Sequence, residues 1–297
     1  MSPAAVPTTP LTLGTSFLGA RGDAARTAEL ADRLLASPHA IDTSNAYAGG
    51  RSEQHLGAAV HRAGGLRAGQ IIYSKADADP RTGVFDRDRV LTSLEESLHR
   101  LEVDHLPLYH LHDPQPRPVA ELMAPGGAVE TLVQLREEGV VGAIGIAAGP
   151  REMVHEYVRT GAFDAVLTHN RFTLADRSAR PLMETAREQG MTVFNAAPFG
   201  GGVLADPSKQ EYGYRPLPEE LVRWIERLRE LARDHHVELA AAALHFSVRS
   251  DLVDSTVVGI TTTERLRQLE RLATSVVPDA FWSDLDGLGE PPASGTD

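Results

Sequence analysis

Four side chains offer the chemistry of this sequence, and they fall at the ends of three neighbouring apolar runs. Asp42 closes the run within AIDTSNAY and Tyr47 follows it in the loop; Lys75 closes IIYSK; His112 closes LPLYHLH. A Lys ammonium buried beside a phenol favours phenolate, so Lys75 is expected to lower the Tyr47 pKa towards working pH, with Asp42 keeping the lysine charged. Imidazole at the fourth run suits orienting and polarising a carbonyl oxygen. The set reads as an acid–base site for carbonyl reduction, with Tyr47 as the proton-transfer group. Singly, each residue has a plainer reading, as a capping Asp, a solvated Lys or a packed Tyr, and the argument rests on their combination. Alternation along a strand puts His110 and His112 on the same side, with His112 nearer the carboxyl end and His110 deeper in the core. Lys75 also leaves open a Schiff-base lyase or isomerase, which needs no nicotinamide.

Such residues must be held by elements that converge. Short apolar runs near 11–16, 39–42, 71–75, 106–112, 141–146, 165–169, 192–197 and 253–259 read as buried strands. Amphipathic stretches near 25–36, 52–61, 86–101, 129–138, 151–159, 180–188, 218–235 and 263–272 alternate with them. Eight strand–helix units imply a parallel sheet closed as an α/β barrel of the (β/α)₈ TIM type, whose active residues sit at the carboxyl ends of strands. No G-x-G-x-x-G follows the first strand, so a dinucleotide would not bind by the Rossmann route. The expectation is a single barrel domain over 1–297, with a loosely ordered tail from about Gly287.

Composition removes other classes. With no cysteine, dithiol redox chemistry, thiolate nucleophiles and Cys-type zinc sites are excluded together. Acidic residues outnumber basic ones by 41 to 29, a formal net charge of −12, which disfavours nucleic acid and anionic lipid. The twelve histidines form no H-E-x-x-H or comparable ligand set, so no metal site is expected. The start MSPAAVPTTP lacks a signal peptide's basic and apolar regions, and no run approaches the roughly 20 apolar residues of a membrane span. A soluble, cytoplasmic protein acting on a small molecule is expected; the oligomeric state is left open.

Four segments carry a resemblance. DTSNAYAGGRSE is similar to D-T-A-x-x-Y-G-x-S-E, Lys75 ends the third strand, SLHRLEVDHLPLYHLHDP is similar to S-L-x-x-L-x-x-D-x-x-D-L-Y-x-x-H, and REEGVVGAIGI is similar to G-K-x-R-x-I-G-V. These are motifs of the aldo-keto reductases, and the resemblance spans nearly the whole chain. It implies an NAD(P)-dependent oxidoreductase that moves a hydride between nicotinamide and a carbonyl or alcohol. The implied tetrad is Asp42, Tyr47, Lys75 and His112. RFTLAD, NAAPFGGGVL and PDAFWSDLDGL resemble the bacterial aldose-dehydrogenase branch, which acts on galactose, fucose and related sugars and includes a pyridoxal dehydrogenase. Some members of the family are cofactor-binding regulatory subunits with little turnover, a second reading from another class.

The resemblance also places the cofactor. The usual carboxamide-binding Ser-Asn and Gln positions match Ala147, Ala148 and His169, and the stacking Tyr matches Ala196, leaving Phe199 as the nearby aromatic. Gly200, Gly201 and Gly202 are candidates for backbone approach to a pyrophosphate. GITTTER supplies Gly259, Thr261, Thr262 and the start of a helix, with Arg265 for a 2′-phosphate. NADP(H) is therefore expected over NAD(H), although the family's frequent basic residue is Gly259 here and its adenine-side Asn is Leu269. Asp77 and Arg171 lie beside strand mouths, as pocket-lining residues or surface charges.

Overall fold

The computed structural model describes residues 3–20, 22–213 and 215–295. Seven strands follow one another along the chain: β1 (Leu11–Gly14), β2 (Ala40–Asp42), β3 (Ile72–Ala76), β4 (Tyr109–His112), β5 (Ile144–Ala147), β6 (Ala165–His169) and β7 (Thr192–Ala196). A small antiparallel ribbon, β8 (Glu211–Tyr212) with β9 (Arg215–Pro216), then interrupts the series before β10 (Ser255–Gly259). The eight longer strands pair in parallel, and β10 lies between β7 and β1, which closes the expected (β/α)₈ barrel.

The helices around it are α1 (Ala24–Ala36), α2 (Arg51–Ala63), α3 (Arg87–Leu101), α4 (Val119–Leu122), α5 (Ala128–Glu137), α6 (Arg151–Arg159), α7 (Arg180–Glu188), α8 (Glu219–Asp234), α9 (Leu239–Val248), α10 (Thr263–Thr274) and α11 (Asp279–Gly287). Asp23 starts α1 by accepting from the amides of Ala25 and Arg26, and Asp86 starts α3 by accepting from Arg89. Among the described residues no helix is long and apolar enough to cross a membrane.

Inside the barrel, side chains stack in layers. Ala40, Tyr73, Leu108, Ala143, Ala165, Leu167, Phe194 and Val257 form one apolar cluster. Ala4 and Val6 pack against it, and the Tyr73 hydroxyl donates to the Pro7 carbonyl. A polar layer follows, in which Lys75, His110 and Gly145 are register neighbours on β3, β4 and β5. Gly145 is required there, because a Cβ would lie 2.2 Å from His110 Nδ1. His110 is fully buried, and burial holds it well below the usual imidazole pKa, so it is neutral.

Regular pairing of β4 with β5 begins at Tyr109 and Ile144, later than the apolar runs suggest. Pro107 has no amide to give, and Gly142 packs so closely that a Cβ would sit 2.8 Å from the Pro107 carbonyl. Only an isolated bridge, Leu106 to Val141, precedes the ladder. The helices α4, α9 and α11 are additions to the expected set. The described residues after Gly287 form no helix or strand, but Ser294 is buried and donates to Asp176, and Arg177 pairs with Glu290 at 3.2 Å.

Candidate active site

The loop after β2 is built by its own polar residues. Thr43 and Ser52 share a hydroxyl contact of 2.9 Å, and Ser52 donates to the Thr15 carbonyl at 3.0 Å. Glu53 is fully buried and takes hydrogen bonds from Ser74 at 2.6 Å and Arg100 at 3.3 Å. The Ser-Glu of the sequence motif is thus scaffold, tying α2 to β3 and α3. It fixes the short helical turn Tyr47–Gly50 over the barrel mouth.

Three of the four expected side chains meet at the Lys75 ammonium. Its Nζ donates to Asp42 Oδ2 at 2.7 Å, to the Thr43 carbonyl at 2.6 Å and to Tyr47 Oη at 3.2 Å. Lys75 is 1% exposed, yet its pKa is raised: burial lowers it, and the Asp42 charge and the Tyr47 contact more than reverse this. All three of its protons are engaged, so it has no lone pair for a Schiff base, and that reading lapses. His112 joins from β4, its ring edge-on to Tyr47 with centroids 5.5 Å apart.

Two expectations change. Lys75 does pull the Tyr47 pKa down, but burial outweighs it, and Tyr47 is pushed up to about 12. It is a phenol, a hydrogen-bond donor, at neutral pH. Asp77 is neither a surface charge nor a pocket wall. It is 6% exposed, and its Oδ1 lies 2.6 Å from His112 Nδ1. Its Oδ2 accepts from Ser44 and from the Ala46 amide, the latter at 3.0 Å. Burial raises its carboxyl, and His112 with these donors outweighs that, holding it below the usual carboxylate range. Period-two alternation places Asp77 on the same side as Lys75, a signal the sequence did contain.

A cavity of about 910 Å³ opens over this group, with Tyr47, His112, Arg265 and Leu272 in its lining. Of the residues proposed from the sequence, His169, Phe199, Gly201, Gly202, Gly259, Thr261, Arg265 and Arg171 also line it. Gly200 and Thr262 have other work. A Cβ at Gly200 would lie 2.3 Å from the Tyr212 ring, so this glycine packs the β8 ribbon against the loop. The Gly200 and Gly202 amides donate to the Ala197 and Phe199 carbonyls at 3.0 Å each, and neither is left for a phosphate. The Thr262 hydroxyl caps α10 by accepting from the Arg265 amide at 3.1 Å.

Sequence reasoning missed Asn170, Lys209 and Arg215, which also line the cavity. Asn170 is 2% exposed with a left-handed backbone, and its Oδ1, like Asp42 Oδ1, is a buried acceptor without a partner among the described residues. Its Nδ2 reaches the Nδ1 of His169 at 3.1 Å. Burial lowers the His169 pKa, so that ring is neutral. A dinucleotide fits this cavity: its volume, the two orphaned acceptors Asp42 Oδ1 and Asn170 Oδ1 and the basic side chains in its lining match hydroxyls, an amide and phosphates. Among the described residues no group of three or more His, Asp or Glu is placed to hold a metal ion.

Comparison with known proteins agrees with this geometry. The model of the Aldo/keto reductase family matches residues 10–290. The chain is 29% identical over 270 residues to a D-threo-aldose 1-dehydrogenase of Pseudomonas sp., covering 82% of each. It is 25% identical over 274 residues to an L-galactose dehydrogenase of Arabidopsis thaliana, covering 91% of this chain and 83% of that one. An aldo-keto reductase from Bacillus halodurans, in its holo form, superposes with a TM-score of 0.75 at 20% identity over the full length of both chains. The chain belongs to the aldo/keto reductase family. As such it is an NAD(P)-dependent oxidoreductase, moving a hydride between a nicotinamide and a carbonyl or alcohol.

Proposed function

We propose that the protein is an aldose dehydrogenase that oxidises the C1 hydroxyl of a small sugar, with NADP preferred to NAD. The observation that carries the reading is the Asp42–Lys75–Tyr47 chain meeting His112 in the lining of a cavity of about 910 Å³. When bound, the nicotinamide supplies the hydride acceptor. Asp42 and Lys75 fix the phenol, Tyr47 and His112 both contact the reacting oxygen, and the hydroxyl proton that oxidation releases leaves through this pair. Asn170 and His169, bonded to each other in the cavity lining, are the groups we assign to hold the carboxamide in place of the missing Ser-Asn pair, with Phe199 as an aromatic wall.

The sugar assignment draws on the two aldose-type relatives and on a wall rich in polar groups, with Asp113, Gln115, His169 and Arg171 to pair with several hydroxyls. The NADP preference draws on three basic side chains in the cavity lining, Lys209, Arg215 and Arg265, of which Lys209 and Arg265 also face Asp206. A scan of aldoses and simple aldehydes with both cofactors tests the reading. Cofactor reduction by at least one aldose is expected, faster with NADP. Turnover confined to non-sugar aldehydes would reject the substrate class, and an NAD preference would reject the cofactor choice.

A further inference from the structure

Behind the side chains that meet in the cavity, one cation is aimed at the backbone that carries them. Arg89 stands in the first turn of α3, where Asp86 accepts from its amide, and its side chain is 10% exposed. Its guanidinium is directed at three acceptors. The Nε donates to the Asp77 carbonyl at 2.9 Å, and the Nη2 donates to Asn45 Oδ1 at 2.8 Å and to Glu96 Oε2 at 3.0 Å. Burial raises the Glu96 carboxyl, and the bonds from Arg89 and Asn45 with the Arg89 and Arg100 charges outweigh it, so Glu96 is ionised.

The other two acceptors belong to the segments that hold the site. Asp77 follows directly on β3, two residues past Lys75, and Asn45 lies two residues before Tyr47 in the loop after β2. Beyond the end of the strand, α3 supplies both partners of the Asp77 backbone: Ser93 Oγ accepts from its amide at 3.3 Å, and Arg89 donates to its carbonyl. Residues 89, 93 and 96 follow at helical spacing on one face of α3. The same face accepts from Asn45 Nδ2, through the Ser93 carbonyl at 3.1 Å and Glu96 Oε2 at 2.9 Å.

A closed circuit of hydrogen bonds results. Arg89 joins the Asp77 carbonyl to Asn45, and the residues on either side of Asn45 return to the same aspartate, the Ser44 hydroxyl and the Ala46 amide both donating to its Oδ2. The Tyr47 amide donates to the Ser44 carbonyl at 3.2 Å, so the turn that presents the phenol starts from this circuit. Resting on the site assignment made above, we propose that Arg89 is a positioning residue of the reaction: its guanidinium bridges the end of β3 to the loop after β2 and sets where Tyr47 stands relative to Lys75 and His112. Arg89 itself lies outside the cavity lining. The two bridging bonds leave from different nitrogens of a planar fork, and a Lys ammonium carries the same charge without that fork. Without the bridge the loop keeps the bonds of Arg100 to the Asn45 carbonyl, at 3.1 Å, and of Lys75 to the Thr43 carbonyl, at 2.6 Å. The consequence is a displaced phenol in a folded barrel.

Steady-state oxidation of the substrate turned over fastest in the scan above, with kcat expressed per cofactor-binding site from titration, tests this role. Arg89→Met should lower kcat about 10–10²-fold with the cofactor dissociation constant unchanged, the loss that a small misplacement of reacting groups produces. Arg89→Lys keeps the charge beside Glu96 and should fall nearly as far. Asn45→Ala removes the other end of the bridge and should fall as well. The Asn45→Ala, Arg89→Met double variant should fall no further than the worse single, because both act through one contact. Wild-type kcat per site in Arg89→Lys, single losses that multiply in the double variant, or an Arg89→Met loss confined to the fraction of sites that bind cofactor overturns the proposal. Tyr47→Phe in the same assay separates this from the reading beneath it. Near-normal kcat in Tyr47→Phe overturns the site assignment and the proposal together, whereas a Tyr47→Phe loss beside wild-type kcat in both Arg89 variants overturns the positioning role alone.

Discussion

At the scale of single residues, the site depends on a buried cation with every proton engaged. Lys75→Met leaves the Asp42 carboxylate buried and alone, which should cost about 3–5 kcal/mol in denaturant unfolding as well as activity. Removing both charges, in Lys75→Met with Asp42→Leu, should recover most of that stability and none of the turnover. Asp77 gives a pH-dependent counterpart. Its folded pKa is depressed, so its stabilisation is present above the unfolded value near pH 4 and is lost as pH falls through the folded one. The gap in Tm between wild type and Asp77→Asn should therefore be constant at neutral pH and narrow below about pH 4. A gap unchanged down to pH 2 would contradict an ionised Asp77 at neutral pH.

At the scale of elements, His110 and Gly145 make a packing unit between β4 and β5. Gly145→Ala drives a methyl into the His110 ring and should cost about 1–3 kcal/mol by thermal melting, and His110→Ala in the same chain should relieve it. No relief would mean that the strain lies elsewhere in the strand pair. The eight barrel strands were legible because short apolar runs alternate with amphipathic stretches, and the candidate tetrad because three of its members close those runs and Tyr47 follows the second. Other features carry no such signal. The helix α9, LAAAALHFSV, is buried on nearly every face, so it shows no apolar stripe for a period of 3.6 to reveal. The upward shift of Tyr47 depends on depth of burial, which spacing does not report. The packing role of Gly200 depends on Tyr212, which reaches it only through the β8 ribbon. Asp77 was visible by alternation, but its bond to His112 Nδ1 needs the register of β3 on β4.

At the scale of the whole molecule, a chain of net charge −12 nevertheless puts Lys209, Arg215 and Arg265 in the lining of its cavity, with Asp206 beside Lys209 and Arg265. These cations favour an anionic ligand where the global field opposes one. Arg265 now lies with its guanidinium 2.8 Å from Gln268 Oε1, already directed along the cavity wall. Arg265→Ala should raise KM for NADP(H) roughly tenfold or more and leave NAD(H) nearly unaffected, as loss of a charged hydrogen bond costs about 1.5–3 kcal/mol. Equal losses for both cofactors would place Arg265 on the shared pyrophosphate or outside the site. On the proposed reading, the barrel as a whole serves to bring one phenol, one imidazole and one cofactor to the same oxygen. Steady-state oxidation of an aldose by Tyr47→Phe, with cofactor affinity measured by titration on the same preparation, tests that most directly. Loss of the phenol donor should slow kcat about 10²–10³-fold with the cofactor dissociation constant unchanged. A Tyr47→Phe enzyme with near-normal kcat would contradict the assignment of this site.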